Sequence, residues 1–316
     1  MNIWTLGDAV VDLLPLSDMQ YQACAGGAPF NVAVGTARLR CQSGFIGRVG
    51  EDDFGRFLKK TLSDSGVSTA SLQLDSEHRT STVLVSLNSG GERGFTFLTS
   101  PSADQFLTPD VLPDFSDDIL HFCSLALVGE ICRNTLITAI GNVKQRGGLL
   151  SFDVNLREQM WPDKQEMVET VRHFSSQADI LKLSEEEWYW LTDTYDFTCA
   201  LDALKALPAQ LKIVTYGAQG AMVIWRNSVI HFNGYTIDSI DTTGAGDAFV
   251  AGLLAWIAHN GMPERFEQIH QAIAQASACG ALATTRKGAL TALPDSHALD
   301  AFITEFSLPD YEVKNR

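Results

Sequence analysis

The chain has 316 residues, of which 45% are hydrophobic and 19% charged, a composition typical of a folded globular protein that excludes intrinsic disorder. Its net charge of −15 argues against general binding to nucleic acids and against adhesion to anionic membranes, because an acidic surface repels phosphate groups. The six cysteines include no C-x-x-C pair, which excludes a zinc ribbon and a thioredoxin motif.

The beginning of the chain does not have the pattern of a signal peptide. Asp8 and Asp12 interrupt its apolar run, and no basic segment precedes that run. The longest apolar run, residues 248–258, is much shorter than the roughly 20 residues that cross a bilayer. The cysteines stand singly in apolar stretches, as buried thiols in a reducing compartment do. We therefore expect a cytoplasmic protein that does not enter a membrane.

Short apolar runs alternate with amphipathic stretches along most of the chain. Such alternation predicts an α/β fold in which helices cover both faces of a mainly parallel sheet. The predicted strands are residues 3–6, 119–123, 149–152, 180–183 and 213–215, with another beginning at 45–46. The predicted helices are residues 31–39, 54–62, 136–143, 185–191, 201–207, 248–258 and 264–283.

Two β-rich segments interrupt this alternation. Residues 81–87 and 95–98 flank the sequence NSGG at 88–91, which is typical of a hairpin turn, and a further extended segment covers residues 13–24. We predict that these segments pair into a small sheet. It is either a decorative insertion or a lid over the edge where open α/β sheets bind ligands. The predicted division is a main domain of residues 1–12, 32–78 and 102–316 and a β lid of residues 13–31 and 79–101.

A glycine-rich segment, DTTGAGD at residues 241–247, immediately precedes the apolar helix. Small residues at a helix start leave backbone N–H groups that can surround an anion, and the helix dipole adds to the attraction. Asp247 would either cap this helix or accept the proton of a hydroxyl that attacks a phosphorus atom. A cap does not require glycine at 244 and 246, so the pair favours an anion site.

A second glycine pair, Gly26 and Gly27, precedes the first long helix. It forms either a simple turn into that helix or a site where a small polar ligand approaches the backbone, with Asn31 as a hydrogen-bonding side chain.

Other phosphate-binding signatures are missing from the sequence. It has no Gly-Lys dipeptide, and hence no Walker A loop, and no G-x-G-x-x-G after the first strand.

These motifs, in this order, resemble the two signatures of the ribokinase-type (phosphofructokinase-B) sugar kinases. The matching tracts cover nearly the whole chain: GDAVVD at 7–12, GGAPFN at 26–31, TYGAQG at 215–220, DTTGAGD at 241–247 and TRKGA at 285–289. The resemblance implies a Rossmann-like (ribokinase-like) α/β domain with a small β-sheet lid and an ATP-dependent kinase activity. Paired lids in this family also imply a homodimer.

Within the family, the tracts are most similar to those of bacterial fructokinases. This similarity implies phosphorylation of D-fructose to fructose 6-phosphate. Aminoimidazole riboside kinases share many of the tracts and remain an alternative, as do, more distantly, 2-keto-3-deoxygluconate kinases. A sugar-sensing protein that has lost its kinase chemistry is a non-enzymatic alternative, which the intact base and anion-binding motif disfavour.

The resemblance also implies roles for individual residues. Asp247 is the general base, the backbone amides of Gly244, Ala245 and Gly246 stabilise the transferred group, and Arg157 meets the phosphate. Arg157 could instead form an ion pair with Glu158 or Asp153, and Phe97 could pack within the lid rather than against the sugar. The implied sugar-binding residues are Asp12, Gly26, Gly27, Asn31, Phe97, Arg157 and Asp247.

The implied cofactors are ATP, magnesium and potassium. Glu187 would hold hydrated magnesium, although Ser184 replaces the asparagine usual in the family's N-x-x-E tract. The implied nucleotide-binding residues are Lys182, Thr215, Gly217, Gly220, Gly244, Gly246 and Ser277, the last standing where many relatives carry asparagine. The implied potassium-binding residues are Asp241, Thr243, Ala283, Arg286 and Gly288.

Overall fold

A computed structural model describes residues 1–17, 19–87, 93–226 and 228–315. The strands are β1 Ile3–Leu6, β2 Val10–Ser17, β3 Gln20–Gly26, β4 Ser43–Gly50, β5 Leu72–Asp75, β6 Ser81–Leu87, β7 Arg93–Phe97, β8 Ile119–Cys123, β9 Leu149–Asp153, β10 Ile180–Ser184, β11 Leu211–Thr215, β12 Ala221–Trp225, β13 Ser228–Phe232 and β14 Tyr311–Asn315. The helices are α1 Ala28–Arg38, α2 Asp53–Asp64, α3 Glu130–Gln145, α4 Lys164–Ser175, α5 Glu185–Thr192, α6 Phe197–Ala206, α7 Ala245–Asn260, α8 Phe266–Thr284, α9 Ala289–Ala292 and α10 Ser296–Glu305.

The main sheet follows the order β14-β13-β12-β11-β10-β9-β8-β1-β4-β5 in the described part of the chain. Every pair from β11 to β5 is parallel, whereas β12, β13 and β14 extend one side as antiparallel strands. The predicted mainly parallel sheet is therefore confirmed. The carboxyl ends of its central strands lie along one edge, where ligands of such sheets bind.

Helices cover both faces of this sheet because its central strands are apolar on both sides. On one face, the stacked rings of Phe122 and Phe152, with centroids 4.8 Å apart, belong to a core that includes residues of α3 to α6. On the other face, Ile119 and Ile180 belong to a core that includes residues of α1, α7 and α8. Strands buried in this way appear in a sequence as continuous apolar runs, which is why the central ones were predicted correctly.

A second sheet has the order β3-β2-β6-β7 and confirms the predicted pairing of the two β-rich segments. Two antiparallel hairpins, β2–β3 and β6–β7, join through the parallel pair β2–β6. The segment predicted as one extended stretch at 13–24 is a hairpin whose first strand already begins at Val10. The predicted NSGG turn at 88–91 lies outside the described residues. We refer to this second sheet as the lid.

Helix α1 begins at Ala28, three residues before its predicted start. Pro29 occupies the first turn, where a proline needs no hydrogen-bond partner and its fixed φ angle suits the helix. Asn31 therefore lies inside the helix and not at its first residue. Across the described ranges, no helix is both long and apolar enough to cross a membrane.

Candidate active site

A hydrogen bond joins the glycine-containing motif before α1 to the one at the start of α7. Asn31, in the first turn of α1, donates from Nδ2 to Oδ2 of Asp247, in the first turn of α7, over 2.8 Å. The two residues are 216 positions apart in the chain, and both are buried. Gly244 occupies the N-cap position of α7, with no side chain capping the helix. The interpretation of Asp247 as a helix cap is therefore wrong.

The environment of Asp247 gives its carboxyl group an unusual acidity. Burial raises its pKa from 3.8 to about 6, and the raising effect is opposed by the hydrogen bond from Asn31 and the positive charges of Lys182 and Arg157. A carboxylate with such a pKa is still ionised near neutral pH and is a stronger base than an exposed aspartate. This is the tuning that a general base requires.

The predicted anion-binding segment, residues 241–247, runs into α7, which begins at Ala245 and not at residue 248 as predicted. Gly244 adopts a positive φ of 77°, and a Cβ there would lie 2.8 Å from the Cβ of Ala289, so this glycine is also needed for packing. The amide of Ala245 donates to the carbonyl of Thr242 over 3.2 Å, which directs it away from a ligand. A Cβ on Gly246 would lie 3.3 Å from Nζ of Lys182, so a cationic side chain reaches this segment.

The glycine pair before α1 packs against two carboxylates at the boundary of the lid. A Cβ on Gly26 would lie 2.5 Å from Oδ2 of Asp12, on β2. Gly27 has a φ of 105°, and a Cβ there would lie 2.5 Å from the carbonyl oxygen of Asp8. Gly27 therefore excludes a side chain, whereas a side chain at Gly26 would require the Asp12 carboxylate to move. Phe97, half-buried at the end of β7, belongs to the same lid sheet.

Arg157 is exposed in the loop after β9. Its Nη1 donates to the carbonyl of Leu156 over 2.9 Å, and its charge lowers the pKa values of Asp8 and Asp247. In the described ranges it forms no ion pair with Glu158 or Asp153, the partners considered from the sequence. The guanidinium therefore acts on the acidic groups of the site.

Sequence reasoning missed two further acidic residues of the site. Asp8 is 5% exposed, and burial, followed by the charge of Asp104, raises its pKa to about 7. Burial also raises the pKa of Asp104, whose buried Oδ1 accepts no hydrogen bond from the described residues. The signal for Asp8 was an acidic residue inside an apolar run, whereas Asp104 was noted only as part of the segment 97–104 that could distinguish a sugar from a riboside.

A cleft of about 310 Å³ adjoins the start of α7 and is lined by Ala245 and Gly246. Phe249, Ile237 and Tyr235 give it apolar walls suited to a heteroaromatic ring. It brings together five of the predicted nucleotide-binding residues, namely Thr215, Gly217, Gly220, Gly246 and Ser277. Gly244 lies next to this cleft in the chain, and Lys182 reaches it at Gly246.

The predicted potassium-binding residues come from the loop at 241–243, the end of α8 and the segment 286–288. The side chain of Asp241 connects the first of these to the last. Its Oδ1 accepts hydrogen bonds from the amide and hydroxyl of Thr243, and its Oδ2 accepts one from the amide of Gly288 over 2.9 Å. Ala283 is buried near the end of α8, and Arg286 is exposed just after it. The observed partners of the Asp241 carboxylate are backbone N–H groups and a hydroxyl, and carboxylate oxygens are donors that hard cations accept.

Glu187 forms a capping box with Ser184 at the start of α5. Its Oε2 accepts from the amide of Ser184 over 2.8 Å, its Oε1 accepts from the amide of Leu156 over 2.7 Å, and the hydroxyl of Ser184 accepts from the amide of Glu187. Serine at 184 is thus explained by local structure. Each carboxylate oxygen retains a lone pair for the water of a hydrated ion. No group of three acidic, histidine or cysteine side chains within the described chain is arranged to hold a metal.

Comparisons with known proteins agree with this geometry. The profile of the pfkB family carbohydrate kinases matches residues 3–296. The chain is 48% identical to a fructokinase of Klebsiella pneumoniae over 295 residues, which cover 93% of this chain and 96% of the relative. The chain is also similar to a crystal structure of fructokinase from Vibrio cholerae O395 bound to fructose, ADP and calcium. The two sequences are 48% identical, the TM-score is 0.90, and the match covers 95% of this chain and 98% of the other chain.

Another similar structure is aminoimidazole riboside kinase from Salmonella enterica, complexed with aminoimidazole riboside and an ATP analogue. It is 36% identical to this chain with a TM-score of 0.89, and the match covers 96% of this chain and 100% of that one. The chain therefore belongs to the pfkB family of carbohydrate kinases. It is an ATP-dependent sugar kinase with the ribokinase-like fold.

Proposed function

We propose that this kinase transfers the γ-phosphoryl group of ATP to D-fructose and forms fructose 6-phosphate and ADP. The observation that carries the proposal is the hydrogen bond between Asn31 and Asp247, which joins the lid-side glycine pair to the anion-binding segment. The fructokinase of Klebsiella pneumoniae is more similar to this chain than the aminoimidazole riboside kinase of Salmonella typhimurium, at 48% against 38% identity.

In the proposed reaction, Asp247 accepts the proton of the primary hydroxyl of the sugar. At the same time, the oxygen of that hydroxyl forms a bond to the γ-phosphorus. The bond between that phosphorus and the bridging oxygen of ADP breaks, and ADP leaves with the electron pair. The amides at Gly244 and Gly246, with Arg157, stabilise the negative charge of the transferred group. Asp12, Asn31, Gly26, Gly27 and Phe97 orient the sugar. The buried Asp8 and the half-buried Asp104, whose Oδ1 is inaccessible, extend the same polar wall.

Two ions complete the proposal. Magnesium, when bound, would offset the charge of the phosphates, with Glu187 contacting its water shell. Potassium would bind at the loop of Asp241, Thr243, Ala283, Arg286 and Gly288. Homologous structures that hold ADP with calcium or potassium support the choice of a nucleotide and cations.

We also propose a homodimer that forms through the lid and acts in the cytoplasm. The exposed Leu16 and Leu98 on and beside the lid strands support an interface there. All six cysteines are free thiols, which suits a reducing compartment, but only Cys123, Cys132 and Cys279 are buried as expected.

The substrate is tested by measuring ADP release with magnesium and potassium present, with fructose, ribose, aminoimidazole riboside and 2-keto-3-deoxygluconate offered in parallel. We expect fructose to give the highest kcat/KM by about tenfold or more, which is about 1.4 kcal/mol of discrimination. A higher value for the riboside would overturn the choice of sugar but leave the kinase intact. Binding of sugar and ATP without any turnover would instead support the sensor alternative.

A further inference from the structure

The chain returns from the lid to the main domain through residues 98–108, which we call the return segment. It contains a short 3-10 helix, Ala103–Phe106, that carries Asp104. Oδ1 of Asp104 is buried and accepts no hydrogen bond from the described residues, and the charge of Asp104 helps to raise the pKa of Asp8. A buried acceptor without a donor is costly, and a ligand that donates to it removes the cost. Asp104 therefore indicates a donor group on the bound sugar.

Both ends of this short helix are tied to the turn that leads into the lid. At its start, the amide of Ala103 donates to the carbonyl of Arg79 over 2.9 Å. At its end, the ring of Phe106 stacks on that of His78 with centroids 3.7 Å apart, and the carbonyl of Phe106 accepts a hydrogen bond from Nη1 of Arg48 over 3.1 Å. His78 and Arg79 lie between β5 and β6. The entry to the lid and the return from it are thus held together.

Asp75, the last residue of β5, is the centre of these contacts, and its side chain is 1% exposed. Its Oδ2 accepts from Nε of Arg48 over 2.7 Å and lies 3.0 Å from Nδ1 of His78. Its Oδ1 accepts from the amides of Glu77 and His78. Burial raises the pKa of Asp75, but the hydrogen bonds from Arg48 and the amides outweigh this effect and hold it below its ordinary value. Asp75 is therefore a fixed, charged acceptor for Arg48.

The local turn does not account for Arg48. Oδ1 of Asp75 already accepts both amides of the turn, whereas Nη1 of Arg48 donates to a carbonyl 58 residues further along the chain. The guanidinium is planar, so a bond from Nε to Asp75 also fixes the direction of Nη1. The far end of the return segment is held independently, because Thr108 exchanges hydrogen bonds with the side chain of Gln73. The contact specific to Arg48 is the one at the end of the short helix.

We propose that Arg48, oriented by Asp75, is a positioning residue that places Asp104 against the bound sugar. The inference rests on the proposed function, in which Asp104 belongs to the sugar-binding wall, and deepens it by assigning part of the sugar affinity to a pair outside that wall. Without Arg48, the end of the short helix is released and Asp104 loses its fixed position. The nucleotide cleft contacts neither residue of the pair, so nucleotide affinity is unaffected.

The first test compares the KM values for sugar and for ATP in the wild-type protein and in Arg48→Met. The sugar is whichever of fructose, ribose, aminoimidazole riboside and 2-keto-3-deoxygluconate is turned over best, so the result does not depend on fructose. Arg133→Met is the matched control, because Arg133 is 19% exposed against 22% for Arg48 and pairs with Glu166.

We expect Arg48→Met to raise the KM for the sugar by about tenfold, the effect of losing one hydrogen bond to a charged group, and the KM for ATP by less than about twofold. Arg133→Met is expected to change neither. Equal increases in both KM values, or no increase for the sugar, would overturn the proposal.

A second test asks whether Arg48 acts through Asp104. Asp104→Ala is expected to raise the KM for the sugar, and Arg48→Met is expected to have no further effect in that background. The same effect of Arg48→Met in both backgrounds would overturn the proposal. If Arg48→Met does not fold, Arg48→Lys keeps the charge beside Asp75 but lacks the planar fork that reaches both acceptors. It must raise the same KM, and an unchanged KM overturns the proposal.

Amide hydrogen exchange without ligands gives a readout that does not depend on activity. We expect the amides of residues 103–106 to exchange about tenfold faster in Arg48→Met, because the hydrogen bond that fixes this helix is lost, and to be unchanged in Arg133→Met. Unchanged exchange in Arg48→Met would overturn the positioning role. Faster exchange in a protein that turns over none of the four sugars would support that role and contradict the proposed function.

Discussion

Asp247 and Asn31 show how one hydrogen bond can set the acidity of a base. Burial raises the pKa of Asp247 to about 6, and the hydrogen bond from Asn31 is the first of the effects that lower it. Only the ionised carboxylate accepts a proton. Activity is therefore expected to fall as the pH decreases through this pKa.

The pH dependence of kcat/KM tests this link. We expect an acid limb near the pKa of about 6, with a loss of about tenfold per pH unit below it. Asn31→Ala removes the donor that lowers the pKa, so the limb should move to higher pH. Asn134→Ala, at an exposed position of α3, should leave it unmoved. A limb that stays in place or moves to lower pH in Asn31→Ala would refute the link.

The chemistry of individual residues was predictable only where a motif carried it. Asp247, Asn31 and the glycines were identified from ordered tracts of small and polar residues. Asp8 and Asp104 were not, because their importance depends on burial beside each other, and burial arises only from the folded arrangement. The same holds for Asp75, whose partner Arg48 lies 27 residues away on another strand.

At the level of elements, the turn into α1 depends on the backbone of Gly27. Its φ of 105° is unfavourable for any residue with a side chain, and an added Cβ would contact the carbonyl oxygen of Asp8 at 2.5 Å. We expect Gly27→Ala to lower the free energy of unfolding by about 2 kcal/mol or more and to weaken sugar binding.

Chemical denaturation of Gly27→Ala checks this expectation. Gly141→Ala is the control, since this glycine lies within α3 and an added Cβ would meet nothing within 4 Å. The control should be stabilised by about 0.5–1 kcal/mol, because alanine favours a helix. Equal stability of Gly27→Ala and wild type would contradict the account of the turn.

The strands that were predicted most accurately are those that are buried on both faces of the sheet. β1 and β8, buried on both faces, were predicted with their observed ends. The antiparallel β12, β13 and β14 and the short β5 were missed, and β14, with the sequence YEVKN, lacks an apolar run altogether. Such strands form because a neighbouring strand offers unpaired backbone groups, which is a tertiary cause. Helices α4, α9 and α10 were also missed, although the sequence carries a capping signal for α4, where the side chain of Asp163 accepts a hydrogen bond from the amide of Glu166.

At the level of the whole molecule, the site forms where the lid, the edge of the main sheet and the start of α7 meet. The order of the motifs predicted that these regions would act together, but their distances depend on how the lid lies on the main domain. The predicted division between lid and main domain remains a prediction, although the lid sheet itself extends back to Val10.

Ion dependence is a property of this assembled molecule. The loop of Asp241 is tied to Gly288 across the chain, so a cation bound there would order the anion-binding segment that follows. We expect turnover to fall when potassium is replaced by sodium, with little change in sugar affinity. Assays in buffers of equal ionic strength check this. Equal turnover in potassium and sodium would count against the predicted site.

In the proposed reaction, Asp247 is the base between the sugar and the nucleotide. The most direct measurement is the turnover of Asp247→Asn with ATP and fructose, alongside calorimetric fructose binding and the exposed control Asp300→Asn. We predict that turnover falls by about 10²–10⁴ while fructose affinity stays near that of the wild type, and that the control is unaffected. A variant that retains more than about a tenth of wild-type turnover would contradict the role of Asp247, since loss of a general base has a larger effect.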